Sequence, residues 1–213
     1  MLIYLIKKDF LIVKKYVFLM AAVAIAMPFY LLWQVPQYAG KLGFIFVIVF
    51  AVLILLQYVS VKESQYPKAA ALICSAPYPR KWFALSKYGF CLIVYAGCCL
   101  IYWLESLVVP GLDGFGIEVC IGMFFAFSVF LGIYLPAQYK LGFEKTKFIF
   151  IIVIMSFPFI ISLLIKMNIK INISFLNTVP PVLMYSIIML ASIMILAVSA
   201  NISVKIYKKI DLV

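Results

Sequence analysis

The chain has 213 residues, 68% of them hydrophobic, and a formal net charge of +11. A soluble domain is usually about half apolar, so this composition argues against a soluble globular protein. The absence of histidine excludes histidine-based acid–base catalysis, histidine-containing catalytic triads and histidine metal ligands.

Residues 1–15 are predicted to form an amphipathic helix that lies in the cytoplasmic interface of a membrane. Ile3, Ile6, Phe10 and Val13 recur at helical spacing, and a lysine pair at 7–8 repeats at 14–15. Such a basic, amphipathic segment is typical of interfacial helices. The alternative is a simple basic flank before the first membrane span.

Six apolar stretches follow, each close to the roughly 20 residues that a helix needs to cross a bilayer. They occupy residues 16–33, 42–61, 88–109, 117–136, 148–165 and 182–204. Lipid offers no hydrogen-bond partners to a backbone, so these spans are predicted to be helices. The expected fold is a single all-α transmembrane domain over residues 1–213, with six transmembrane helices.

The segment 62–87, between the second and third spans, is predicted to be an ordered cytoplasmic element. It contains helix formers at 68–74, the stops Pro77 and Pro79, and a new helix that begins near Trp82. A connection between spans needs only a few residues. The length therefore indicates a docking element, with a surface elbow that has no partner as the alternative.

The connection between the fourth and fifth spans is predicted to be a tight inner turn. Gly142 permits a backbone reversal there, and Glu144 lies among lysines, either ion-paired or facing solvent. On the opposite side of the membrane, polar and apolar residues alternate from Asn168 to Phe175. This period of two indicates a strand-like or re-entrant segment within 166–181.

The positive charge follows the predicted topology. Fifteen of the 18 lysines and arginines fall on one side, and only Lys41, Lys166 and Lys170 fall on the other. The positive-inside rule therefore predicts that both termini are cytoplasmic. It also accounts for the basic charge without nucleic-acid binding, since no basic face remains on a soluble fold.

Three acidic residues are predicted to surround the outer end of the third and fourth spans. Glu105 lies inside a span, Asp113 in the following loop and Glu118 at the outer end of the next span. Charge inside a membrane is costly and often functional, so this outer mouth would favour a cationic or amphipathic peptide. The alternative is that Glu105 reaches the outer headgroups.

The chain resembles the short, six-helix prokaryotic branch of ABC-2 type exporter permeases. The resemblance lies in the opening Lys8-Asp9-Phe10-Leu11, in Glu63 followed by Cys74-Ser75-Ala76-Pro77, Arg80-Lys81 and Ser86-Lys87-Tyr88, and in Leu135-Pro136 followed by residues 139–145. It departs from the family pattern at Ala76, Pro79 and Gln138. It implies a bacterial cytoplasmic membrane protein in which a second copy, or a related permease, assembles with two cytoplasmic ATPases.

The same resemblance implies that segment 62–87 holds a coupling helix that sits in a groove of the ATPase. The residues expected to contact the ATPase are Glu63, Lys68, Arg80, Lys81, Glu144 and Lys145. For Arg80 and Lys81, simple positive-inside anchoring is the alternative. The outer segment 166–181 would be a reduced form of the family's re-entrant helices.

This chain has no G-x-x-x-x-G-K-[ST] loop. ATP and magnesium would therefore be bound by the partner, and no cofactor or metal is expected in this chain. The expected function is export of a small amphipathic or peptide-like substrate. The alternative is a peptide-sensing or immunity protein without transport. An intramembrane enzyme is disfavoured because paired ionisable residues within the spans are lacking.

Overall fold

The computed structural model describes residues 2–34, 39–65, 80–109, 112, 116–148, 151–152, 156 and 181–208. The helices in this part of the chain are α1 (Leu2–Ile12), α2 (Lys14–Gln34), α3 (Ala39–Gln65), α4 (Arg80–Val108), α5 (Ile117–Leu141) and α6 (Pro181–Lys208). No strand occurs within the described ranges, so the all-helical prediction is confirmed for them.

Five of these helices, α2 to α6, are long and apolar enough to cross a membrane. They include the stretches predicted at 16–33, 42–61, 117–136 and 182–204, and nearly all of 88–109. The stretch predicted at 148–165 lies almost entirely outside the described residues. The segment at 166–180, Lys68 and Asp113 lie outside them as well.

The helices continue past the predicted span ends on the cytoplasmic side. Helix α3 runs to Gln65, α4 begins at Arg80, and α5 continues through Pro136 to Leu141. The element predicted at 62–87 therefore includes the last turn of α3 and the first turns of α4, and residues 66–79 between these helices lie outside the described part. A helix of 29 residues is about 43 Å long, which exceeds a hydrocarbon core of about 30 Å.

Helix α5 ends at Gly142, as the predicted reversal requires. Gly142 has φ 82° and ψ 163°, and its N–H donates to the Gln138 carbonyl oxygen at 3.0 Å. The Thr146 hydroxyl donates to the Gly142 carbonyl oxygen at 2.7 Å, and residues 143–148 are helical again. A side chain with a Cβ resists this φ, so the glycine sets where α5 stops.

Helix α3 is the most buried of the spanning helices in the described part of the chain, and α2 and α4 both pack against it. Helix α6 packs along α5 and also touches α4. The buried residues of α3 include Phe44, Ile48, Leu56 and Val59, each at most 2% exposed. Apolar side chains of this helix therefore hold the transmembrane helices together by close packing.

Helix α1 packs across the N-terminal part of α4. A Cβ at Gly89 would lie 2.6 Å from Ile6 Cδ1, so the glycine allows the close approach of the two helices. The apolar residues predicted at helical spacing on α1 have different environments. Ile6 and Val13 are buried, but Ile3 is 77% exposed, and Leu5 and Asp9 lie on the buried face.

Candidate functional site

Four charged side chains form a partly buried cluster at the end of the helices that is predicted to be cytoplasmic. Glu63 of α3 lies between two lysines, with Lys8 Nζ 3.0 Å from its Oε1 and Lys87 Nζ 2.6 Å from its Oε2. Lys8 Nζ is also 3.0 Å from Asp9 Oδ1. We call Lys8, Asp9, Glu63 and Lys87 the inner charge cluster. Its two positive and two negative charges balance.

Three helices bring the inner charge cluster together. Helix α1 supplies Lys8 and Asp9, the last turn of α3 supplies Glu63, and the early turns of α4 supply Lys87. The side chains of Asp9 and Lys87 are 1% and 5% exposed. A buried charge is tolerated when it is paired, so each helix position depends on the other two.

The pKa values of Lys8 and Asp9 reflect this pairing. Burial lowers the pKa of the Lys8 ammonium, but the carboxylates of Glu63 and Asp9 outweigh it, so the pKa of Lys8 lies above its ordinary value. Burial raises the pKa of the Asp9 carboxyl, against the opposing effect of Lys8. Asp9 thus has the least favourable environment in the cluster, although its Oδ1 lies 3.0 Å from Lys8 Nζ and its Oδ2 accepts from Ser86 Oγ at 3.5 Å.

Aromatic rings surround the cluster and connect it to α5 and α6. Lys8 Nζ lies 4.4 Å from the ring centroid of Phe83, and Phe83 stacks on Tyr207 at 5.6 Å. Tyr139 of α5 packs edge-on against Tyr207 at 5.3 Å, and its hydroxyl donates to the Ala84 carbonyl oxygen at 3.4 Å. Five helices therefore converge at one end of the molecule.

The residues predicted to dock the ATPase occupy two different environments. The carboxylate of Glu63 points inward, to Lys8 and Lys87. Lys81, Glu144 and Lys145 are exposed, and Glu144 pairs with Lys147. Arg80 begins α4, although its side chain, like Lys68, lies outside what is described.

The residues predicted at the outer mouth also have different neighbours. Glu105 is only 9% exposed, and neither of its carboxylate oxygens has a hydrogen-bond partner among the described residues. It lies one turn from Tyr102, whose hydroxyl donates to the Gly40 carbonyl oxygen of α3 at 2.9 Å. Glu118 is exposed and lies near Tyr185 of α6.

An open, mostly apolar groove lies on α4 and α5. It has a volume of about 840 Å³ and is lined by Tyr95, Cys99, Leu100, Trp103, Ile117 and Cys120, among others. The Tyr95 hydroxyl donates to the Cys120 carbonyl oxygen at 2.7 Å, which connects the two walls. A groove with aromatic and aliphatic walls can hold an apolar chain or side chain.

Sequence reasoning treated Lys8 and Lys87 as topology charges and missed the inner charge cluster. One signal was available, because Asp9 is the only acidic residue before Glu63. It lies at helical spacing from Leu5, Ile6 and Val13, on a face that proved to be buried. A lone carboxylate on an apolar helix face predicts a buried basic partner.

A family model described as ABC-2 family transporter protein matches residues 4–208. The chain belongs to the ABC-2 transporter family. No curated protein and no solved structure gives a match. Membership in this family, together with five helices long enough to span a bilayer, makes this ABC-2 transporter a multi-pass membrane protein and a transport component rather than an enzyme.

Proposed function

We propose that this chain is the transmembrane subunit of an ATP-driven exporter, which docks a cytoplasmic ATPase through the segment between α3 and α4. The observation that carries the proposal is the inner charge cluster. Glu63 lies two residues before Gln65, where α3 ends, and Lys87 lies seven residues after Arg80, where α4 begins. Segment 66–79 joins these two helix ends. A force on that segment would therefore act on both helices together and, through Lys8, on α1.

Rigid coupling of this kind is what an energy-transducing connection needs. The ion pairs and the aromatic contacts of Phe83, Tyr139 and Tyr207 join α1, α3, α4, α5 and α6. Closure of an ATPase dimer would then tilt these helices as a packed unit. The exposed Lys81, Glu144 and Lys145 would complete the contact with the ATPase.

The substrate we propose is small and amphipathic or peptide-like. The groove on α4 and α5 offers apolar walls, and Glu105 and Glu118 place negative charge at the outer part of the helices. A second copy of this chain, or a related permease, would complete the pathway. We propose residence in a bacterial cytoplasmic membrane, with both termini on the cytoplasmic side.

Docking is tested by purifying the tagged chain from its own host in mild detergent and measuring ATP hydrolysis in the eluate. The variant R80E/K81E should lose about tenfold or more of the co-purified activity, because like charges across an interface cost several kcal/mol. The matched control K208E/K209E reverses another adjacent basic pair on the same predicted side. Its co-purified activity should stay unchanged.

Other outcomes would count against docking. Equal loss in both variants would mean that co-purification depends on general positive charge and that the basic pair beside segment 66–79 has no special role. A chain that elutes alone and without activity would favour a stand-alone peptide-sensing or immunity protein.

The pathway is tested by ATP-dependent uptake of a fluorescent cationic amphipathic peptide into inside-out vesicles. Replacement of Glu105 with glutamine should lower uptake of the cationic peptide and leave uptake of a neutral analogue unchanged. Equal uptake of the cationic peptide by both proteins would remove Glu105 from the pathway.

A further inference from the structure

The face of α1 that points away from α4 is exposed. Three large apolar side chains on it are highly exposed: Ile3 at 77%, Tyr4 at 71% and Leu11 at 62%. Lysines at 7, 14 and 15 are exposed as well. We call the set Ile3, Tyr4, Lys7, Leu11, Lys14 and Lys15 the lysine stripe.

The lysine stripe is continuous although α1 and α2 are separate helices. The Val13 N–H lies 3.3 Å from the Asp9 carbonyl oxygen, and the Val17 N–H donates to the Val13 carbonyl oxygen at 2.9 Å. Helical hydrogen bonding therefore passes through residue 13. The spacing of three, four and seven residues keeps the stripe on one side of the helices.

The positive charge of the lysine stripe is not compensated locally. Asp9 is the only acidic residue among the first 34, and it lies on the buried face with Lys8. Glu63 is likewise engaged by Lys8 and Lys87. Three ammonium groups therefore face outward beside exposed apolar side chains, without a carboxylate from α1 or α2 on that face.

The position of α2 sets the depth of the lysine stripe. Lys14 and Lys15 are the first residues of a helix long enough to span a bilayer. The start of that helix must lie at the level of the lipid headgroups, and α1 continues from it. A helix at that depth can insert apolar side chains among the acyl chains while its lysines reach the phosphates.

We propose that the lysine stripe is a binding surface for anionic phospholipid headgroups of the cytoplasmic leaflet. Its charge is complementary to such lipids, and its alternating apolar and basic side chains fit an interface between headgroups and acyl chains. The opposite face of α1 holds the inner charge cluster. Lipid bound to the exposed face would thus stabilise the packing of α1 against α3 and α4.

The experiment uses a single tryptophan beside the lysine stripe of the purified full-length chain as the reporter. Phe18 follows Lys14 and Lys15 by one helical turn and is 81% exposed. In the background W33F/W82F/W103F, the substitution F18W supplies the only tryptophan. The protein is placed in vesicles of equal parts phosphatidylcholine and phosphatidylglycerol, in which one lipid at a time carries bromine in its acyl chains near the headgroup. The ratio of quenching by the two brominated lipids gives the lipid preference.

We expect the unaltered stripe to prefer phosphatidylglycerol. The variant K7Q/K14Q/K15Q should lower this preference several-fold, toward one, because a lysine near an anionic surface contributes up to about fivefold. The charge-preserving variant K7R/K14R/K15R should retain it, which separates loss of charge from loss of folding. The control K41Q/K166Q/K170Q removes the three lysines predicted on the other side and should also retain it.

Two results would overturn the proposal. One is that the unaltered chain shows no lipid preference, or the same preference as K7Q/K14Q/K15Q. The other is a K7Q/K14Q/K15Q variant that keeps the lipid preference but loses a co-purifying protein, which would make the lysine stripe a partner surface.

Discussion

Acidic side chains at the two ends of the transmembrane helices differ in their pairing with basic or hydrogen-bonding groups. At the end predicted to be cytoplasmic, Glu63 is held by Lys8 and Lys87 at 3.0 and 2.6 Å. Toward the other end, Glu105 is 9% exposed, and both of its carboxylate oxygens lack hydrogen-bond partners among the described residues. The same residue type is thus part of a balanced cluster in one place and uncompensated in the other.

This difference separates two uses of buried charge. A paired cluster fixes the relative positions of α1, α3 and α4, because removal of one member leaves another charge buried without a partner. An unpaired carboxyl has no such structural role, and it costs stability. Such a residue is therefore the better candidate for contact with a substrate or an ion.

The largest effect is expected from replacement of Glu63 with glutamine. Lys87, whose side chain is 5% exposed, would lose its carboxylate, and breaking a buried pair costs about 3–5 kcal/mol. We expect a fall in Tm of about 10 °C in detergent, measured by thermal unfolding. The double variant E63Q/K87Q leaves Lys8 paired with Asp9 and should recover most of this loss.

The control for this prediction is E144Q. Glu144 is 75% exposed and pairs with Lys147, and a surface pair contributes at most about 1 kcal/mol. If E63Q and E144Q shifted Tm equally, the inner charge cluster would not stabilise the helix arrangement.

A smaller loss is expected at Gly142, which tests how much the stability of the end predicted to be cytoplasmic depends on backbone geometry rather than on charge. Substitution by alanine forces a Cβ into φ 82° and ψ 163° and should cost about 1–3 kcal/mol. Nothing lies within 4 Å of the new Cβ, so the cost would come from the backbone alone. The variant G122A, inside α5 and equally free of contacts, should be neutral or stabilising in the same thermal assay.

Between the two ends, neutral hydroxyl groups connect helices in place of charges. The Tyr88 hydroxyl lies 2.6 Å from Ser199 Oγ and 2.8 Å from Ser203 Oγ, and thus joins α4 to α6. Replacement of Tyr88 with phenylalanine should cost about 1 kcal/mol, as is typical for hydrogen bonds between membrane helices. Unchanged urea or thermal unfolding of this variant would show that packing alone holds α4 to α6.

The smallest effect, with the opposite sign, is expected for E105Q. An amide is less costly to bury than an unpaired carboxylate, so Tm should stay the same or rise by a few degrees, an effect of about 1 kcal/mol or less. A fall in Tm as large as that of E63Q would mean that Glu105 is a structural member of a paired site, and the contrast between the two ends would be lost.

Much of the architecture could be predicted from the sequence because it follows from local hydrophobicity. The apolar runs predicted helices, and Gly142 predicted the break after α5. Cluster partners could not be predicted in this way. The residues of the inner charge cluster are separated by 55 positions between Lys8 and Glu63 and by 24 between Glu63 and Lys87, and hydropathy carries no information about which charges meet across helices.

The sequence by itself therefore determined that this protein is helical, multi-pass and a member of the ABC-2 transporter family, since those properties follow from composition, periodicity and motif residues along the chain. Only the tertiary structure decided that Asp9 and Glu63 face inward, that Glu105 is buried with no hydrogen-bond partner among the described residues, and that α1 has one face for protein and another exposed. The reason is geometric. Burial and pairing depend on which helices pack together, and that choice is made by contacts between residues far apart in the chain.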